Sequence, residues 1–149
     1  MNPTLKNIVA AVFGYLVMVV VVFVAFTIVW QILGPDGAFE PGSWDVSGAW
    51  IAASIVLGLV AAVAGGWSCA RMAPNQNALY ILIALIVVLG VLSALPEAGL
   101  ALGPRPEDVS MFEAMGSVAQ PRWVAWLNPV IGVIGAVFGA RLAGRKASA

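Results

Sequence analysis

This sequence has no histidine, one cysteine and few charges. Asp, Glu, Lys and Arg together make up 9% of its 149 residues, where a soluble domain carries about 25%. Without histidine there is no imidazole base, no His-ligated haem and no zinc site of the usual kind. The single cysteine, Cys69, excludes an internal disulfide and carries no information on redox compartment. The formal net charge is zero, and no basic stripe or aromatic–basic patch marks nucleic acid as a partner. In water, a fold of this composition would expose apolar patches far larger than soluble proteins tolerate.

What the chain has is hydrophobic length. It is 62% hydrophobic, with mean hydropathy +1.00. Four apolar runs, at about 8–33, 49–70, 78–95 and 123–143, approach or exceed the roughly 20 residues that carry a helix across a ~30 Å hydrocarbon core. A closed barrel needs alternating polarity, and Val17 to Ala25 is continuously apolar. Helices satisfy their own backbone groups in lipid, so the expected fold is all-α: one transmembrane domain, residues 1–149, built as a bundle of four spans. The first run is about twice the usual length of a signal-peptide core, and no small-x-small site follows it before Trp30-Gln31. It is expected to stay in the mature protein.

Charge is sorted along the chain. The acidic residues Asp36, Glu40, Asp45, Glu97, Glu107, Asp108 and Glu113 all fall in two connections, 34–47 and 96–122. Lys6, Arg71, Arg141, Arg145 and Lys146 lie at the opposite ends of the runs, against Arg105 and Arg122 on the acidic side. Positive charge in short loops stays cytoplasmic, so both termini are expected inside. Trp30, Trp44, Trp50, Trp123 and Trp126 cluster near the outer ends, where indoles favour the headgroup region, and Trp67 lies near the inner end of the second run. The 72–77 connection is short, which predicts that the second and third runs are antiparallel neighbours. Leu95-Pro96 marks the end of the third. In the second outer loop a short helix is expected from Pro106, with Glu107 and Asp108 at the positive end of its dipole, Met111, Phe112, Met115 and Val118 on one side, and Gly116 near its end.

Helices in lipid associate through small residues that let backbones approach. The second run carries Ser54, Gly58, Ala62 and Gly66 at four-residue spacing, with Gly65 beside them; the fourth carries Gly132, Gly135, Ala136 and Gly139. These faces predict a close pair of the second and fourth spans, with Gly58→Leu or Gly135→Leu separating them and Val20→Leu doing little. Small-residue faces serve equally for contacts between chains, with a copy or with other membrane proteins.

The segments Gly65-Gly66-Trp67-Ser68-Cys69-Ala70-Arg71-Met72-Ala73 and Gly135-Ala136-Val137-Phe138-Gly139-Ala140-Arg141-Leu142-Ala143-Gly144-Arg145 resemble those of small bacterial four-helix membrane proteins of unknown function. The resemblance implies a multi-pass protein of the bacterial inner membrane and carries no activity with it.

Intramembrane charge is the usual mark of coupled transport, and no charge falls well inside a run. The polar residues that remain are mild. Asn128, Gln31, Thr27 and Ser93 are the candidates for a polar pocket. Asn128-Pro129 either kinks a continuous helix and lines an outward-facing polar pocket or caps and starts a helix at Pro129; the second reading is favoured. Cys69 has no base or oxyanion arrangement in view, and the spacing of Asp36, Glu40 and Asp45 is not that of a calcium loop. The expected protein is therefore not an enzyme and takes no cofactor or metal. It is a structural, accessory or assembly component associating laterally in the bilayer, the alternative being a small passive transporter or pore formed by an oligomer.

Overall fold

The computed structural model describes residues 2–95 and 103–144. Glu97, Arg145 and Lys146 of the charge pattern lie outside them. The described residues form five helices: α1 (Pro3–Ala38), α2 (Gly48–Met72), α3 (Asn77–Ala94), α4 (Met111–Ser117) and α5 (Arg122–Leu142). All but α4 are long and apolar enough to cross a membrane. The shortest of these, α3, has 18 residues, about 27 Å of helix at the standard rise.

Each end has a local cause. Asn2 caps α1, its side-chain oxygen accepting from Thr4 N–H at 3.1 Å, and Pro3 occupies the first turn, where its missing N–H costs nothing. At the end that meets the 39–47 loop, labelled outer after the charge pattern, Gly34 takes φ 63°, ψ −177° and breaks the helix; only glycine adopts that backbone readily. One further turn, starting at Pro35, carries the chain to Ala38. Ser47 starts α2 by accepting from Trp50 N–H at 3.1 Å and donating to the Gly37 carbonyl at 2.6 Å, which ties the end of α1 to the beginning of α2. Leu95 is extended (φ −63°, ψ 135°) ahead of Pro96 and ends α3.

α2 and α5 make the most extensive contact in the molecule, followed by α1 with α2. A Cβ on Gly66 would run into the Ala136 carbonyl, and one on Gly139 into the Val63 carbonyl. A Cβ on Gly135 would lie 2.5 Å from that of Ala62. The small residues thus set backbone against backbone. Gly65 turns the other way, toward Gly14 and Met18 of α1, and Gly132 faces Ile86 of α3. Gly58 meets nothing within 4 Å.

Around the bundle the order is α1, α2, α5, α3, so α2 and α3 lie across a diagonal and have the least contact of the substantially packed pairs. This corrects the expectation that a short turn makes them neighbours. The reason is α5: its Gly135, Ala136 and Gly139 seat against α2 while Pro129 and Gly132 seat against Gly90 and Ile86 of α3. The inner half is filled by small side chains around Leu82, including Ala10, Ala11, Cys69, Ala78 and Ala136. α1 leaves most of its bulky side chains toward lipid; Val20, for example, is 60% exposed.

The loops between the outer ends form a folded cap with its own core: Trp30, Ala38, Phe39, Trp44, Val46, Val109 and Ala114. Trp30 meets Phe39 and Trp50 edge-on, and Phe39 meets Trp44 in the same way. Trp30 and Trp44 are therefore buried, whereas Trp123 and Trp126 on α5 are exposed, as an interfacial belt requires. Phe39 pairs with Val46 in an antiparallel bridge, and Ala119 links back to Trp44 and Val46 by backbone bonds of 2.9 and 3.2 Å.

α4 begins at Met111, five residues later than Pro106. Ser110 caps it by accepting from Glu113 N–H at 3.3 Å, and Glu107 and Asp108 stand outside it, exposed. The segment before it is held in non-helical form by Arg105 and by Val109, which is buried in the cap core. The apolar face is also split: Ala114 is buried and Met111 packs against the core, while Phe112 and Met115 are exposed.

Candidate functional site

The half of the bundle at the α2–α3 turn holds only a smaller pocket, about 220 Å³ beside Ala70, Leu79, Ile83 and Ala140, and the half at the loops a larger one. Below Gly132 on α5 and Ala61 on α2, glycine and alanine bring the helices together. Above that level a cavity of about 460 Å³ opens between α1, α2, α3 and α5, and Gly58 and Ala125 leave it unfilled. Its deep end is walled by Tyr15, Met18, Ala61, Ile86 and Gly132. Nearer the loops it is lined by Ser54, Ser93, Gln120 and Asn128. Ser54 and Asn128 each lie six residues into their helices, about 9 Å along the axis. No charged side chain lines the cavity among the described residues.

Two of the four polar residues singled out from the sequence, Ser93 and Asn128, meet here. Thr27 and Gln31 are not among the lining residues. The Thr27 hydroxyl donates to the Phe23 carbonyl at 2.7 Å, and Gln31 is exposed on the outer part of α1. The serine hydroxyls of the spans behave like Thr27: Ser54 donates to Trp50, Ser68 to Ala64 and Ser93 to Leu89, at 2.7 to 2.8 Å. A hydroxyl committed to the carbonyl one turn back keeps its lone pairs as acceptors. It is not paired with a base that would activate it as a nucleophile. Cys69 is fully buried in the inner core, against Gly14.

Asn128-Pro129 is not a cap and start. α5 runs unbroken through both residues. Proline at 129 has no N–H for the carbonyl of Ala125 one turn earlier, and its ring crowds that carbonyl. Ala125 and Asn128 both line the cavity, so this break in the hydrogen-bond ladder falls at its wall. Pro129 itself is buried, and a Cβ on Gly90 would lie 2.7 Å from its ring. The glycine is what lets α3 pass the proline.

Three features were missed from the sequence. Gln120 and Ser54 join the cavity lining; nothing in their local pattern distinguishes them from other polar residues near helix ends. Asn7 is 3% exposed, and its side-chain oxygen has no hydrogen-bond partner among the described residues. A signal for it existed, since Asn7, Ala10, Ala11 and Gly14 share one helical face once α1 is started at Pro3. Arg105 is the third. Counted from the sequence as one of two outer cations, its side chain is 4% exposed. It donates to Asp36 Oδ1 at 2.9 Å and to the Pro106 carbonyl at 3.3 Å, lies 5.6 Å from the Phe39 ring centre, and its backbone N–H bonds the Gly42 carbonyl. Arg105 thus clips the second loop onto the first. Because Asp36 is almost fully exposed, much of the clip is the guanidinium packed on Phe39 and not the ion pair. Arg105→Ala is expected to raise proteolysis after Glu107 about tenfold, through a local opening easier by about 1.4 kcal/mol, with the thermal unfolding of the bundle unchanged. Asp36→Asn should have a much smaller effect on the same digestion.

The fold and its exposed apolar helices define a helical multi-pass membrane protein whose spans contact the lipid bilayer. Set against protein-family models, curated proteins and solved structures, the chain matches none.

Proposed function

We propose that this chain is a non-catalytic protein of the bacterial inner membrane, with both termini and the α2–α3 turn in the cytoplasm, and that it serves as an accessory or assembly component. The observation that carries the reading is the outer cap. A loop that only joins two spans needs no core of its own, yet here two loops and α4 contribute five buried residues to a core completed by Trp30 and Ala38 of α1. The cap leaves Phe112 77% and Met115 57% exposed, as an apolar contact point on a rigid base. The glycine faces that the sequence offered for lateral association are largely taken up between α2, α5 and their neighbours within the chain, so the cap is the better candidate for the contact. An oligomeric pore finds less support: Ser93 and Asn128 line one cavity, and Thr27 and Gln31 are not part of it.

Isolation in mild detergent with cross-linking is expected to yield a stoichiometric partner joined through α4, and Phe112→Ser should abolish the link. Recovery of the chain alone, with no cross-link from α4, would refute the accessory role. Orientation has a separate test. In a Cys69→Ala background, Glu40→Cys and Ser110→Cys should react with an impermeant maleimide from outside the cell. Reaction only from the cytoplasmic side would reverse the topology.

A further inference from the structure

We infer that the cavity of the outer half is a binding site for a single-chain, uncharged amphiphile, of the class of long-chain alcohols, held with its apolar chain down between the helices and its hydrogen-bonding head at the level of Asn128. The volume, about 460 Å³, lies within the ~300–1,000 Å³ range of ligand pockets. Polarity is graded along it. The deep wall is Tyr15, Met18, Ala61, Ile86 and Gly132, apolar apart from the Tyr15 hydroxyl, and the serines and amides lie toward the loop end. A wholly apolar groove would be filled by any lipid chain, but this one places an amide in a span where a polar group without a partner costs several kcal/mol. Asn128 makes no side-chain hydrogen bond within the described residues, so its donors and its acceptor are free for an occupant. Ser54 and Ser93 have spent their protons on their own helices and offer only acceptor lone pairs. A hydroxyl head, which both donates and accepts, matches that set. A carboxylate or an ammonium would enter with no counter-charge in the lining, and an uncompensated ion is strongly disfavoured at that depth. Gly58 belongs to the same device: a side chain there meets nothing within 4 Å because it would stand in the cavity.

The test uses the full chain in phosphatidylcholine nanodiscs and hexadecanol carrying a diazirine near the tail end. Saturable cross-linking to Met18 or Ile86 is expected, displaced by unlabelled hexadecanol and at least tenfold less well by palmitate or hexadecyltrimethylammonium. Asn128→Leu should raise the half-saturating concentration about tenfold, the loss of one good hydrogen bond. Gly58→Phe should remove the saturable fraction while the thermal transition is kept. Should Gly58→Phe fail to fold, Asn128→Leu decides between the outcomes, because its side chain is exposed and not part of the packing. Labelling that never saturates and resembles that of lipid-facing Val88 would overturn the proposal, as would displacement by the charged analogues equal to that by hexadecanol. An unchanged half-saturation in Asn128→Leu would do the same.

Discussion

Gly139→Leu or Gly66→Leu is expected to collapse the bundle in mild detergent, while Gly58→Leu leaves it standing. At 139 the first side-chain atom runs into the Val63 carbonyl and approaches Trp67 N; at 66 it runs into Ala136. These obstacles are backbone atoms of the facing helix and cannot rotate away. Relief requires moving α2 from α5 along the most extensive contact in the molecule. Overpacking typically costs 1–3 kcal/mol, and a clash against backbone belongs at or above about 3 kcal/mol. At Gly58 the same leucine enters open space, so its effect should stay within roughly 0.5 kcal/mol, as for substitutions away from packed features. Val20→Leu, on the lipid side of α1, should be equally mild. The measurement is the apparent melting temperature of purified protein, with the monodisperse fraction as a second readout. Equal destabilisation by Gly58→Leu and Gly139→Leu would mean that α2 does not present these faces as described.

Phe39→Ala should have the next largest effect, and a local one. Phe39 is 3% exposed, meets Trp30 and Trp44 edge-on and underlies the Arg105 guanidinium. Truncating a buried phenylalanine costs about 3–5 kcal/mol, and here it leaves a gap between the Trp30 and Trp44 rings and the Arg105 guanidinium. The cap is therefore expected to open while the spans persist. Hydrogen exchange should report it, with protection lost at the amides of Glu40, Val46 and Ala119 and retained through α2 and α5. Retention of cap protection in Phe39→Ala would show that the aromatic core does not hold the loops together.

Much of the architecture is legible in the chain because lipid imposes strong, local rules. An apolar run near 20 residues long must be a helix whatever surrounds it, and Gly34, Ser47 and Leu95-Pro96 act on their own backbone or its next turn. The α2–α5 pairing was legible too, through glycine and alanine at helical spacing. What a small-residue stripe does not disclose is which neighbour each member faces. Gly65 turns to α1, Gly132 to α3 and Gly58 to empty space, although all looked alike in sequence. A rotation of one residue, about 100° around the helix axis, decides between these partners, and that rotation is set by the whole bundle.

The same division explains the α4 start and Asn128-Pro129. Pro106 signalled a helix start, but the chain starts α4 after Ser110, because Arg105 and Val109 make contacts across the cap in the first loop. Asn128-Pro129 offered a helix start, but α5 continues through it with Pro129 buried against Gly90 of α3, a contact that lies outside the segment itself. Hydropathy and charge order thus determined that this chain is helical, how many spans it has and where its loops fall, since each depends only on a segment and its solvent. Tertiary structure alone decided that α2 and α3 sit on a diagonal, that Arg105 is buried and that four spans part to form a cavity at one end. Those outcomes depend on how side chains from distant segments fill space together, and no single segment carries that information.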